Sequence, residues 1–279
     1  MRKRACGAAL GALLAAVTLL APMAGGASAA TGAAKKIDFS GTVDLGGCSG
    51  SLVKLAGAPT AGPALMLTNG HCYEGGFPQP GEVLVDKPST LDFSLLAPDG
   101  QKKATLHATK VSYATMTDTD ITLYELSVSY DRIKYRYGIS PLEISPTPPA
   151  AGTAVKVVAG ALKTIYSCDI DAIVHRLKEG EWITKDSIRL TSACDTVGGT
   201  SGAPIEDVAT GKLIGINNTG NDNGERCTEG NPCEIDESGA VTVRKGGKYG
   251  QQTYQLAGCM TGSAINLELP GCLLPKPAG

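Results

Sequence analysis

The stretch Gly198-Gly199-Thr200-Ser201-Gly202-Ala203-Pro204-Ile205 decides how the chain is read. A serine set between small residues, with glycines leading in and a proline closing the turn, has a hydroxyl that no bulky neighbour covers. Glycine admits backbone dihedrals that other residues resist, so Gly199 and Ser201 can turn their N–H groups toward one point. Two such donors beside a nucleophile form an oxyanion hole. Gly/Ser/Pro clusters are also ordinary turn chemistry, so the stretch needs partners elsewhere in the chain.

A hydroxyl nucleophile needs a base and a group that orients the base. The chain holds three histidines, His71, His107 and His175, and all precede Ser201. This excludes the α/β-hydrolase order, in which histidine comes last, and Ala203 breaks the G-x-S-x-G elbow. The orders His…Asp…Ser and Asp…His…Ser remain open. Local context separates them. Ala64-Leu65-Met66-Leu67-Thr68-Asn69-Gly70-His71-Cys72 is an apolar strand ending in a turn, with a histidine and a cysteine at its mouth. Thr117-Asp118-Thr119-Asp120-Ile121-Thr122-Leu123-Tyr124-Glu125-Leu126 sets an aspartate at the head of a second apolar run. Singly, His71, Asp120 and Ser201 read equally well as turn and loop residues; ordered and in context, they read as one constellation.

The motifs T-N-G-H-C, D-I-T-L-Y-E-L and G-G-T-S-G-A-P resemble, in that order, the three catalytic motifs of the chymotrypsin-like serine proteases, over about Cys48 to Gly220. The resemblance implies an all-β fold: two antiparallel six-stranded β-barrels with the active site in the cleft between them. Ser201 would then be the nucleophile, His71 the general base and then acid, and Asp120 the carboxylate that fixes the tautomer and steadies the imidazolium. Gly199 and Ser201 would supply the oxyanion hole. The function implied is a serine endopeptidase acting through an acyl-enzyme, with a catalytically idle binding protein or an esterase on the same fold as alternatives.

In the trypsin-like branch, the residue six before the nucleophile floors the pocket for the side chain preceding the scissile bond. Here that residue is Asp195, which favours Arg or Lys. Thr196 and the T-N-G-H form instead resemble the bacterial glutamyl endopeptidases, whose acid-binding histidine is replaced here by Asn217. The reading therefore favours basic or broad specificity, with Asn218, Thr219 and Gly220 lying along the bound peptide. Thr200 stands where trypsin-like zymogens carry an aspartate, so activation by a freed N-terminal amine is not expected.

Composition bounds the rest. Of 279 residues, 36 are Gly, 16 are Pro and only 5% are aromatic, which suits a turn-rich β protein better than a helical one. Arg2-Lys3-Arg4, an apolar run from Ala8 to Ala21 and Ala27-Ser28-Ala29 form the three regions of a secretory signal peptide, cleaved after Ala29. Its removal takes away three basic residues and no acid, moving the formal net charge from −2 to −5. Such a chain has nothing to attract nucleic acid, and it keeps no membrane anchor after signal removal. A secreted monomer acting on protein or peptide substrates without a cofactor is expected.

Eight cysteines then remain, an even number for an oxidising destination. Zinc is disfavoured, since no C-x-x-C pair and no clustered histidines occur. Cys48–Cys72 resembles the family bridge that brackets the histidine loop. Sequence proximity suggests Cys168–Cys194, Cys227–Cys233 and Cys259–Cys272.

The expected organisation is a signal peptide (1–29), a disordered leader (30–36), a first barrel with His71 and Asp120 (37–136) and a Pro-rich linker (137–152). A second barrel with Ser201 (153–258) and a disulfide-tied tail (259–279) follow. Within the second barrel, Ile170, Ile173, Val174 and Leu177 stand at helical spacing, so a short helix over 169–178 is expected, with His175 structural or solvent-facing. The charged, Gly-rich segment 218–250 reads as a surface excursion.

Overall fold

The computed structural model describes residues 36–278. The expected signal peptide and the leader up to residue 35 therefore lie outside the described residues.

Apolar runs broken by turn residues fold into strands that close on themselves. The first seven are β1 (Thr42–Asp44), β2 (Ser49–Leu55), β3 (Pro63–Thr68), β4 (Val83–Pro88), β5 (Asp92–Leu96), β6 (Lys102–Thr115) and β7 (Ile121–Ser129). Six of them form a ring in the order β1-β5-β6-β7-β3-β2, shut by pairing of β1 with β2, while β4 pairs with β6 off the ring. Closure pairs each of these six strands on both sides. Leu52, Met66, Phe93, Leu95, Val111 and Tyr124 fill this barrel.

A helix, α1 (Tyr130–Tyr137), follows β7. The Ser129 hydroxyl accepts the Arg132 N–H at its start, and Gly138 ends it in the left-handed conformation. The expected linker then carries a strand of its own, β8 (Leu142–Ile144). This strand pairs in parallel with β2 through Val53↔Leu142, and Ile144 reaches Leu213 of the second half. The connection is thus stitched into both halves.

The second half comprises β9 (Ala154–Ala159), β10 (Thr164–Glu179), β11 (Trp182–Leu190), β12 (Pro204–Asp207), β13 (Leu213–Gly220), β14 (Cys233–Ile235), β15 (Val241–Val243) and β16 (Lys248–Gln252). It closes in the order β13-β12-β9-β10-β11-β16, with β13 pairing β16. The architecture is the expected pair of six-stranded antiparallel barrels. Leu65, Leu67 and Leu123 of the first barrel share one core with Leu213 and Ile216 of the second and with Leu256 and Leu274 near the end of the chain. Each such fully buried side chain contributes about 1.5–3 kcal/mol, so this shared core binds the two rings together.

Two expectations are corrected. Residues 169–178 are not helical but form the middle of β10, which pairs with β11 from Ile170↔Leu190 to Glu179↔Trp182. Ile170, Val174 and Leu177 are buried, at spacings of four and three, while Ile173 is 36% exposed. Pairing is regular from Ala172 to Glu179, so Val174 and Leu177 lie on opposite faces of the strand, and a strand buried on both faces can show the spacing of a helix. His175 is exposed, as expected. The segment 218–250 is not only a surface excursion: it contains β14 and β15, and it ends in β16, buried along its whole length.

All four expected disulfides form, Cys48–Cys72, Cys168–Cys194, Cys227–Cys233 and Cys259–Cys272. Among the described residues no helix is long and apolar enough to cross a membrane.

Candidate active site

His71 sits on a single 3-10 turn, Gly70–Cys72, at the end of β3. A side chain at position 70 would place its Cβ 2.1 Å from the Thr115 carbonyl oxygen and 2.8 Å from Asp120 Oδ1, so only glycine lets this turn press against the aspartate. The Cys48–Cys72 bridge ties the turn to the chain entering β2. Asp120, 3% exposed, lies at the head of β7. Its Oδ2 is 2.7 Å from His71 Nδ1, and its Oδ1 accepts the His71 backbone N–H at 2.9 Å. The Asn69 side-chain amide donates to the Asp120 carbonyl at 2.9 Å, fixing the aspartate backbone as well. A carboxylate at Nδ1 holds the proton there and leaves Nε2 free to accept another. Burial by itself would lower the His71 pKa. The charge and hydrogen bond of Asp120, with the charge of Glu179, outweigh that and raise it above the ordinary 6.5.

Ser201 precedes β12 in the second barrel, on a turn held from the first. Ser49 of β2 donates its backbone N–H to the Ser201 carbonyl at 2.7 Å and its hydroxyl to the Gly199 carbonyl at 3.0 Å. The Thr68 hydroxyl of β3 donates in turn to the Ser49 carbonyl at 2.7 Å. Gly202, at φ 76°, passes so close beneath that an added Cβ would lie 2.2 Å from both Ser49 O and Thr68 Oγ1. The backbone N–H groups of Gly199 and Ser201 donate to no acceptor among the described residues; Ser201 lines the cleft it shares with His71 and Asp120, and Gly199 does not.

His71, Asp120 and Ser201 line one cleft of about 340 Å³. Among the described residues His71 and Ser201 share no hydrogen bond; the Ser201 hydroxyl donates to the Asn218 carbonyl at 3.3 Å. Such nucleophile–base contacts are often long before substrate tightens the site.

Thr196, Asn217, Asn218, Thr219 and Gly220 line the same cleft, but Asp195 does not. Its side chain is 85% exposed and stands 3.5 Å from Lys248 Nζ. Cys194, just before it, is fully buried in its bridge to Cys168. The expected floor of the specificity pocket is therefore not formed by Asp195.

Residues that the sequence does not single out complete the walls. Phe77 meets the His71 ring edge-on at 5.9 Å and Trp182 at 5.8 Å, and the Trp182 indole donates to the Pro78 carbonyl at 2.8 Å. Trp182 is the only tryptophan in the chain, and that was the one available signal. Glu179 and Lys248 also face the cleft. Cys48, His71 and Cys72 come close enough together to hold a metal ion, but the disulfide consumes both thiolates.

The family described as "Trypsin-like peptidase domain" matches residues 48–216. No curated protein matches the chain. Among solved structures, the MamO protease domain from Magnetospirillum magneticum in its apo form is 14% identical, with 80% of this chain and 96% of that chain covered at TM-score 0.49. The inactive form of the Rv3671c protease is 15% identical, with 78% and 86% covered at TM-score 0.48. The Nocardiopsis protease NAPase is 12% identical, with 77% and 93% covered at TM-score 0.42.

Proposed function

Because the chain belongs to the trypsin-like peptidase family, we propose that it is a secreted serine endopeptidase working through His71, Asp120 and Ser201. The observation that carries this reading is the 2.7 Å contact of His71 Nδ1 with Asp120 Oδ2 in a cleft that Ser201 also lines. With Nδ1 engaged, His71 Nε2 takes the Ser201 proton as the hydroxyl attacks the substrate carbonyl. Asp120 stabilises the imidazolium, and the Gly199 and Ser201 N–H groups receive the negative oxygen. The imidazolium then protonates the leaving amine, and a water activated by the same imidazole releases the acyl group. The four disulfides fit an extracellular setting. Protein and peptide chains are the substrates, and the protein acts as a monomer.

A fluorophosphonate tests the reading. Wild type takes up the label at Ser201 and cleaves casein, whereas Ser201→Ala does neither. The Ser201–Asn218 hydrogen bond favours one other reading, a protease-fold binding protein whose hydroxyl stays parked on that carbonyl. Wild type that resists the label at every pH from 6 to 9 establishes that reading instead. Rapid cleavage of short esters with casein left intact would make the protein an esterase.

A further inference from the structure

The cleft carries an unbalanced charge. Glu179, Asp222 and Glu229 line it beside Asp120, and Lys248 is the one lysine or arginine in the lining among the described residues. Lys248 is already engaged, 2.6 Å from Asp222 and 3.5 Å from Asp195. Asp120 is committed to His71. Glu179 differs from both. It ends β10, one residue before the turn into β11, and makes no ion pair among the described residues. Two hydrogen bonds reach it, from the Gly230 N–H to its Oε1 at 2.7 Å and from the Thr219 side chain, and neither donor carries a charge. The carboxylate is shielded enough that burial raises its pKa, and it is near enough to His71 and Asp120 to interact with both charges. A shielded carboxylate without a cation is costly unless a ligand supplies one. Phe77 and Trp182 stand in the same wall, an apolar surface suited to the stem of a long cationic side chain.

The position relative to the scissile bond follows from strand geometry. Side chains of an extended peptide point alternately to opposite faces. With the attacked carbonyl at Ser201 and the peptide lying along Asn218–Gly220, the residue at that carbonyl faces Thr196 and Asn217. The residue before it faces the His71 wall, where Phe77 and Glu179 stand. Resting on the peptidase reading above, we propose that Glu179 is a specificity residue selecting lysine or arginine immediately upstream of the residue whose carbonyl is attacked. Asp195, the position from which a basic preference would be read by counting, does not carry it.

The test uses two hexapeptides identical except for lysine or norleucine at that upstream position. Calorimetric titration into the secreted Ser201→Ala protein gives an affinity ratio that does not depend on turnover, and active wild type gives the matching kcat/KM ratio. The lysine peptide binds roughly tenfold more tightly. Glu179→Gln in the Ser201→Ala background brings the ratio close to one, while Glu179→Asp, which keeps the charge, retains part of it. General damage to the fold weakens both peptides together and leaves the ratio in place. A ratio within twofold of one in the Glu179 protein, or a ratio that survives Glu179→Gln, overturns the proposal. Loss of the peptidase reading looks different: neither peptide is cleaved and no fluorophosphonate is taken up, while the affinity ratio still reports on Glu179.

Discussion

The carboxylate of Asp120 holds His71 from two sides, through Oδ2 at 2.7 Å from the ring Nδ1 and through Oδ1 at 2.9 Å from the backbone N–H. An amide cannot do both jobs of the carboxylate. Asp120→Asn offers an N–H where Nδ1 needs an acceptor, so the ring adopts the tautomer whose Nε2 carries the proton. The expected result is a fall in kcat of ~10⁴-fold with little change in KM. Steady-state kinetics on a peptide ester and an amide check this, and a fall smaller than tenfold removes Asp120 from the mechanism.

The same pair sets a pH dependence. Burial opposes protonation of His71, but Asp120 and Glu179 favour it more strongly, so the imidazole titrates above its ordinary 6.5. The working form is neutral, so kcat/KM rises with pH through an inflection above 6.5. Glu179→Gln removes one of the charges that favour protonation and moves the inflection down. Stability runs the other way. A folded-state pKa above the unfolded one contributes stability that is fully present below about 6.5 and is lost as pH rises through the folded value. Rate profiles of wild type and Glu179→Gln are the measurement, and coincident inflections contradict the account.

The bridges differ in what they close. Cys48–Cys72 spans 24 residues and Cys227–Cys233 only 6. Loop-closure entropy gives about 3 kcal/mol for the first and about 2 kcal/mol for the second. The first also anchors the turn that carries His71. Replacing Cys48 and Cys72 by serine is expected to lower both the melting temperature and kcat, whereas the Cys227/Cys233 pair of substitutions lowers stability alone. Thermal melts and kinetics on the two double variants decide between this and a purely global effect.

The parts of the site that are legible in the sequence are those where chemistry forces local composition. Ser201 needs glycines around it, His71 ends an apolar strand, and Asp120 starts one. Three of the pairings are legible because each joins cysteines close in sequence, and Cys48–Cys72 because it resembles the bridge that brackets the histidine loop in the family. β10 is misread because it buries Val174 on one face and Leu177 on the other, and together with Ile170 they stand at spacings that a helix shares. β16 escapes notice because Lys248-Tyr249-Gly250-Gln251-Gln252 has one apolar residue. Its burial comes from pairing with β11 and β13 and from the Lys248–Asp222 ion pair, which join segments remote in sequence. Asp195 is misplaced because counting six residues back from Ser201 assumes a loop path that the buried Cys168–Cys194 bridge alters. Glu179 is invisible for a simpler reason: β10 brings it to His71 across more than a hundred residues.

Contact between the barrels at Ser49 makes the last prediction. The Ser49 hydroxyl donates to the Gly199 carbonyl and accepts the Ala161 N–H at 3.1 Å, while its backbone holds the Ser201 carbonyl. Ser49→Ala keeps the backbone bond and strands the other two groups, at about 1–3 kcal/mol. The Gly199–Thr200 peptide then loses the bond that holds it just before Ser201, so kcat drops by about tenfold or more while KM changes little. Gly202→Ala is harsher. Its methyl group would enter the 2.2 Å gap to Ser49 O and Thr68 Oγ1, and its φ of 76° is unfavourable for alanine. Strain and overpacking together cost about 2–5 kcal/mol. Gly198 has a negative φ and no atom within 4 Å of an added Cβ, so Gly198→Ala should melt near wild type. Chemical denaturation of the three variants orders them Gly198→Ala, Ser49→Ala, Gly202→Ala in rising cost. If Gly202→Ala is as stable as Gly198→Ala, the Ser201 turn is not pressed against β2 and β3 as described, and the first barrel loses its part in aiming the hydroxyl.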